Sequence, residues 1–269
     1  KLRKLQKSDF IGILKAMEGY KVTIRLLDPP LHEFLPSTKN KKVLARAKEL
    51  EEVNPMMGHR GVRLGITSPE IYEMQIKAVF EATAELVKKK INAKPQIMIP
   101  QVSSIAELNH IKSIYDNVKS DMEKKHGIKF KINFGTMLEV VRACLTSDEL
   151  AKTAEFFSFG TNDLTQGVFS FSREDVEGKF LGDYMDKGLV EISPFQSIDK
   201  NGVGNLMKIG IKQGRSVQKN LEIGICGEHG GDPNSVKFCH AADVSYVSAS
   251  PYRIPTAILA AAQAVIEHK

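Results

Sequence analysis

Tryptophan is absent from these 269 residues, and aromatic side chains make up only 7% of them. Nowhere do aromatic and basic residues interleave, so the stacking platforms of single-strand nucleic-acid binders are missing and no nucleic-acid partner is expected. No stretch approaches the roughly 18 uninterrupted apolar residues of a membrane span, so no membrane partner is expected either. Cysteine is scarce. Cys144, Cys226 and Cys239 are odd in number, and their spacing fits neither a disulfide framework nor a zinc site. That usage points to a reducing, cytoplasmic compartment. A Walker-type phosphate loop, a Gly/Ser linker, an internal repeat and a low-complexity tract are all lacking. Lys1-Leu2-Arg3-Lys4 does not open a signal peptide, and Glu267-His268-Lys269 is no peroxisomal address. A net charge of +6 reads first as surface solubility, with a modest field that favours an anionic substrate.

What remains is an ordinary globular composition, 42% apolar and 26% charged, at a length that suits one α/β barrel domain over residues 1–269. Apolar runs alternate with helical patterns, the mark of βα units on a parallel sheet. Candidate strands lie at 22–26, 61–64, 96–99, 132–136, 155–159, 222–226 and 244–248. Most are continuous apolar runs, as for strands covered on both faces. Ser68-Pro69 opens a helix with a stripe through Ile71, Met74, Gln75, Ala78, Val79, Ala82 and Leu86. A second stripe runs through Ile105, Leu108, Ile111, Tyr115, Val118 and Met122 and should stop at Gly127. Asp232-Pro233 opens another helix, and an alanine-rich one starts near Thr256. Seven strands are one short of a (β/α)8 barrel. Residues 1–20 read as a helix, with Phe10, Ile11, Leu14 and Met17 on one side, so the expectation is a barrel that starts after its first strand. Residues 172–199 form a long polar connection, a candidate lid or interface loop.

Four segments could carry chemistry. The run Phe-Phe-Ser-Phe-Gly-Thr-Asn-Asp delivers Asn162 and Asp163 to the end of a buried strand, and Glu139 ends the strand before it. One acid from each of two strand ends can hold a hard dication such as magnesium, which takes one or two carboxylates and leaves positions for substrate oxygens. In a barrel all strand C-termini open on one face, so the two acids should converge there. Arg25, inside an apolar run, reads either as a buried ion pair with Asp28 or as an anion clamp. His59-Arg60, between Gly58 and Gly61, allows close ligand approach but equally a plain exposed turn. Cys226 is followed by Gly227, Glu228, His229 and a helix start. The commoner role for such a cysteine is a small buried hydrophobe, but this setting can also tune an accessible thiol. His59 and His229 could serve as acid–base groups, though neither has an evident partner.

Together these residues resemble the C-terminal barrel of the phosphoenolpyruvate-utilising enzymes, from Val22 to Ala264. The Thr-Ile-Arg-Leu-Leu-Asp-Pro-Pro-Leu-His-Glu-Phe run resembles the pyruvate, phosphate dikinase branch. The Gly-Thr-Asn-Asp and Cys-Gly-Glu segments are also similar to those of phosphoenolpyruvate synthase and enzyme I of the bacterial sugar phosphotransferase system. The resemblance implies a (β/α)8 barrel with a magnesium ion held by Glu139 and Asp163. It implies that Arg25 and Arg60 clamp the phosphoryl and carboxylate groups, that Thr161, Asn162 and Asp163 touch substrate, and that Cys226 is the general acid/base at the methylene carbon. It further implies phosphoryl transfer between phosphoenolpyruvate or pyruvate and a histidine on a separate domain, an ATP-binding domain in the same full-length protein, and a homodimer. Three departures from the pattern stand out. The Arg-Thr-Glu segment of the first barrel strand is missing, Val141 replaces a proline, and Ser193 replaces an acid before Pro-Phe.

Two other readings compete. The same acids on the same fold could serve a magnesium-dependent 2-keto acid lyase or aldolase, since fold does not fix function. A barrel short of a strand could also bind phosphoenolpyruvate without turnover and self-associate through exposed sheet edge.

Overall fold

Mostly apolar runs become parallel strands. In the computed structural model, which describes residues 1–30 and 38–267, six strands form: β1 (Lys21–Arg25), β2 (Lys94–Ile99), β3 (Asn133–Leu138), β4 (Phe156–Gly160), β5 (Glu222–Cys226) and β6 (Tyr246–Val247). The fold is thus α/β with parallel strands, as the apolar pattern implied. Residues 31–34 of the dikinase-like run lie outside the described residues. The chain divides into two compact units, Lys1–Val102 with Ala106–Gly135, and Ser103–Ile105 with Thr136–Lys269.

In the first unit β1 and β2 pair in parallel, from Lys21 opposite Lys94 to Arg25 opposite Met98. Every residue of β2 after Lys94 is buried. The Pro69–Lys88 helix has proline at its start, where the missing N–H costs nothing, and buries Ile76, Val79, Phe80, Ala82 and Leu86. The Ile105–His126 helix buries Leu108, Ile111, Tyr115, Val118 and Met122, the stripe expected from its spacing. Phe80 meets Phe130 edge-on, with ring centroids 5.0 Å apart, and Phe134 closes on Tyr115 at 5.2 Å. The N-terminal helix, Leu2–Ala16, sets Leu14 with Phe10 and Ile11 against Ala82 and Leu86.

Residues 61–64 are not a strand. They open a helix, Val62–Thr67. Gly61 takes a φ of +59°, and a Cβ there would lie 2.7 Å from the Gln101 side chain. A left-handed residue turns the chain sharply, so Val62 begins a helix and gives its N–H to the Pro100 carbonyl. The strand count among the described residues is therefore six and not seven.

In the second unit β3, β4, β5 and β6 pair in parallel in chain order. All five residues of β4 are buried. The Val203–Val217 helix packs close to β4 because its contact face carries glycine; a Cβ on Gly214 would come within 2.7 Å of the Phe157 ring. The 172–199 connection, read from the sequence as a long polar one, is not without structure. It contains two short helices, Arg173–Lys179 and Leu181–Asp186. Val176, Leu181 and Phe195 build a small core there with Phe171 and Phe180. Its end is fastened down. Ser197 donates to Asp232 at 2.9 Å, and the Ile198 N–H to Ser235 Oγ at 2.9 Å. Scattered apolar residues gave this segment enough to bury. The last helix, Ile254–Glu267, starts two residues before Thr256 and buries only Ala257, Ala260 and Ala264.

Candidate active site

Each unit carries one cluster at the C-terminal ends of its strands. In the first, β1 ends at Arg25, and Asp28 follows in a tight turn. Arg25 Nη1 and Arg60 Nη2 both reach Asp28 Oδ2, at 2.8 and 2.7 Å. Arg60 Nε also donates to the Asp28 carbonyl at 3.1 Å, and Nη1 to the Met56 carbonyl at 3.2 Å. The two arginines differ in exposure in the reverse of the expected sense. Arg25 sits at the strand's end and is 42% exposed, whereas Arg60 is 4% exposed and Asp28 only 1%. The reading of His59-Arg60 as a plain exposed turn therefore fails for Arg60. A buried guanidinium needs a carboxylate partner, and Asp28 supplies it. His59 stays exposed, with its N–H on Glu52 Oε1.

In the second unit, Glu139 follows β3, and the Thr161–Phe169 helix follows β4 directly. The register sets Leu138 opposite Phe159 and Gly160 opposite Cys226, so Glu139, Thr161 and Cys226 leave three neighbouring strands at one level. Glu139 is 3% exposed. Its carboxylate lies over Gly160, where a Cβ would fall 2.3 Å from Oε2. Asp163 stands in the first turn of the Thr161–Phe169 helix, where the helix dipole favours an anion. Two carboxylates at adjacent strand ends make an oxygen-only donor pair of the kind magnesium accepts. Among the described residues no group of three or more His, Cys, Asp or Glu side chains could hold a metal by itself.

Cys226 is half-buried, and its Sγ–H points at the Phe159 carbonyl, 3.6 Å away. Cys144 and Cys239 are buried packing residues whose thiols desolvation pushes up to about 12. The loop after Cys226 is bound to the start of the Thr161–Phe169 helix. Thr161 Oγ1 lies 3.0 Å from the Cys226 carbonyl, and the Glu228 N–H donates to Asn162 Oδ1 at 3.3 Å. Gly227 has a φ of +115°, and a Cβ there would lie 2.7 Å from Thr161 Oγ1. Both facts require glycine.

Two residues gained roles the sequence could not assign. Asp28, noted only as a partner for Arg25, organises both arginines. His229, without an evident partner in the sequence, is 0% exposed and bonded at both ring nitrogens, to Thr161 Oγ1 at 2.7 Å and to the Pro194 carbonyl at 2.9 Å. Proximity of Glu228-His229 to Cys226 was the only signal available for it.

Carboxylates, an amide and a thiol thus stand at the strand ends of the second unit, and in the first unit two arginines pair on Asp28 just after β1. The chain matches the family model described as "PEP-utilising enzyme, PEP-binding domain" over residues 1–266, and it belongs to that family. It is 51% identical to pyruvate, phosphate dikinase of Entamoeba histolytica, over 99% of this chain and 32% of that protein. It is 48% identical to pyruvate, phosphate dikinase of Clostridium symbiosum, over 98% of this chain and 32% of that one. The chloroplastic pyruvate, phosphate dikinase 1 of Arabidopsis thaliana is 50% identical, over 97% of this chain and 29% of that protein. The chain thus spans about a third of the length of the curated relatives it matches. Among solved structures, a citrate lyase of Burkholderia xenovorans superposes with a TM-score of 0.45 and 12% identity, over 70% of this chain and 53% of that one, too loose a likeness to bear on function. No helix among the described residues is long and apolar enough to cross a membrane.

Proposed function

We propose that this chain carries the phosphoenolpyruvate/pyruvate half-reaction of a pyruvate, phosphate dikinase, passing a phosphoryl group between phosphoenolpyruvate and a phosphohistidine on another domain. The observation that supports it most is the alignment of Glu139, the Thr161-Asn162-Asp163 turn and Cys226 at one level of three adjacent strands. In this reading Arg25 and Arg60 hold the phosphoryl and carboxylate oxygens, and spread the charge that builds in flight. Asp28 sets the guanidinium planes before substrate arrives. Asn162 adds a polar contact to the ligand. Cys226 gives its thiol proton to the methylene carbon as pyruvate forms, and takes it back in reverse. A magnesium ion held by Glu139 and Asp163 would supply a fixed positive charge beside the enolate oxygen. The phosphohistidine and ATP-binding domains belong to a longer protein. Homodimer formation is part of the same proposal, and the exposed Ile258, Leu259 and Ile266 of the last helix give it an apolar surface.

The test adds a phosphohistidine domain and magnesium to the chain and follows exchange of labelled pyruvate into phosphoenolpyruvate. Exchange is expected with the native chain and absent with Cys226→Ala. Undiminished exchange in that variant would remove Cys226 from the reaction. Cleavage of a 2-keto acid with no histidine donor present would instead favour a lyase.

A further inference from the structure

Three features outside the proposed chemistry invite a role. The cleft of about 510 Å³ lined by Arg3, Lys7, Glu81, Lys125 and His126 holds surface cations already answered by Glu81. The cleft lined by Leu189, Ile192, Asp199 and Asn234 has nothing that names an occupant. His229 is different, because it is fully buried, bonded at both nitrogens and only three residues after the thiol, in the Glu228–Gly231 turn.

Pro194 offers only a carbonyl, which can accept but not donate, so Nε2 carries the proton. Desolvation lowers the His229 pKa. The Pro194 bond, Asp232 and Glu228 oppose that shift, and Arg173 adds to it. A neutral ring with its proton on Nε2 has a bare Nδ1, and the group facing it is the Thr161 hydroxyl at 2.7 Å. That hydroxyl has one proton, so when it is given to Nδ1 the Cys226 carbonyl 3.0 Å away is a contact and not a second bond. Thr161 therefore sits at a junction. It opens the helix that carries Asn162 and Asp163, it touches the backbone of Cys226, and it is held from behind by His229.

We propose that His229 is a positioning residue: tethered at Nε2 by the Pro194 carbonyl, it anchors the Thr161 hydroxyl at Nδ1 and so fixes the loop bearing Cys226 against the turn bearing Asn162 and Asp163. The inference deepens the reading of Cys226 given above and rests on it. Its test reads the thiol's own chemistry, so the two can fail separately.

Cys226 is the target for iodoacetamide, with buried Cys144 and Cys239 as internal controls. The full chain is compared with His229→Gln, His229→Asn and Thr161→Val, each shown to be folded by circular dichroism. Glutamine places an amide nitrogen near Nε2 and keeps the Pro194 bond, but leaves Thr161 unheld. Asparagine places an oxygen near Nδ1 and keeps Thr161. Release of the loop frees Sγ from the Phe159 carbonyl, so alkylation should quicken about fivefold, the worth of one ordinary hydrogen bond, in His229→Gln and Thr161→Val. His229→Asn should stay near the native rate. Equal rates for the glutamine and asparagine variants, or a native rate in Thr161→Val, would overturn the proposal. Nitrogen-15 spectra of the native ring give a second reading that needs no variant. A neutral ring protonated at Nε2 is expected at neutral pH, and a proton on Nδ1 would be decisive against it.

Discussion

Glu139 and Gly160 occupy one another's space: the carboxylate lies where a side chain at Gly160 would be, with Oε2 2.3 Å from the Cβ that glycine lacks. Gly160 ends β4 and Glu139 follows β3, so a missing methyl group on one strand sets the carboxylate of the next. Gly160→Ala should push Glu139 out of place and lower stability by about 1–3 kcal/mol, the usual cost of overpacking a buried site. Urea denaturation measures the loss. Calorimetric titration with magnesium should show weaker binding in the same variant, and native affinity would mean that Glu139 has no part in holding the ion.

Asp28 joins two arginines of unlike exposure, and only the buried Arg60 needs it as a counter-charge withdrawn from water. Asp28→Asn leaves the buried Arg60 without its anion, which should cost roughly 3 kcal/mol. Arg25→Ala should cost far less, within about 1 kcal/mol, because its end of the pair is solvated. Urea midpoints of the two variants compare them directly. Phosphoenolpyruvate binding, followed by calorimetry, should weaken in both.

Iodoacetamide should modify one of the three thiols of the native chain. Desolvation holds Cys144 and Cys239 up at about 12, and neither is accessible. Mass spectrometry of digested protein should find the label on Cys226, and phosphoenolpyruvate should protect it. Labelling of Cys239 without unfolding would contradict the burial described here.

Stability should fall as pH drops from about 6.5 toward 5. Desolvation lowers the pKa of both His229 and His126 below the ordinary 6.5. A lowered histidine binds fewer protons folded than unfolded, so the unfolded chain gains on acidification until the folded pKa is passed. Glu123 and Asp175, lowered by Lys129 and Lys179, add a loss of the same sign in a more acid window, below their ordinary values near 4. Urea unfolding at pH 7.5, 6 and 5 tests the first window, and His229→Gln should flatten part of its slope.

The parallel strands were legible because a strand covered on both faces is largely apolar. The runs at 96–99, 132–136, 155–159 and 222–226 are mostly apolar and became β2 to β5. The 61–64 run became a helix instead, since Gly61 adopts a left-handed φ that local composition does not reveal. The helices of the 172–199 connection were not legible for another reason. Its charged residues dominate the average, yet Val176, Leu181 and Phe195, far apart in sequence, meet to form a core.

By itself the sequence determined residue chemistry and order: oxygen donors and a thiol at successive strand ends, arginines after the first, and membership of a family whose motifs are strings of neighbours. Such properties are local, because strand propensity and ligand type belong to short segments. Tertiary structure alone decided which charges meet. It brought Arg60 across 32 residues to the Asp28 oxygen that Arg25 also holds, and it joined His229 to Thr161 across 68. Burial made those pairings necessary. A guanidinium or an imidazole withdrawn from water must find a partner, and in a folded chain the nearest one is set by packing and not by sequence distance.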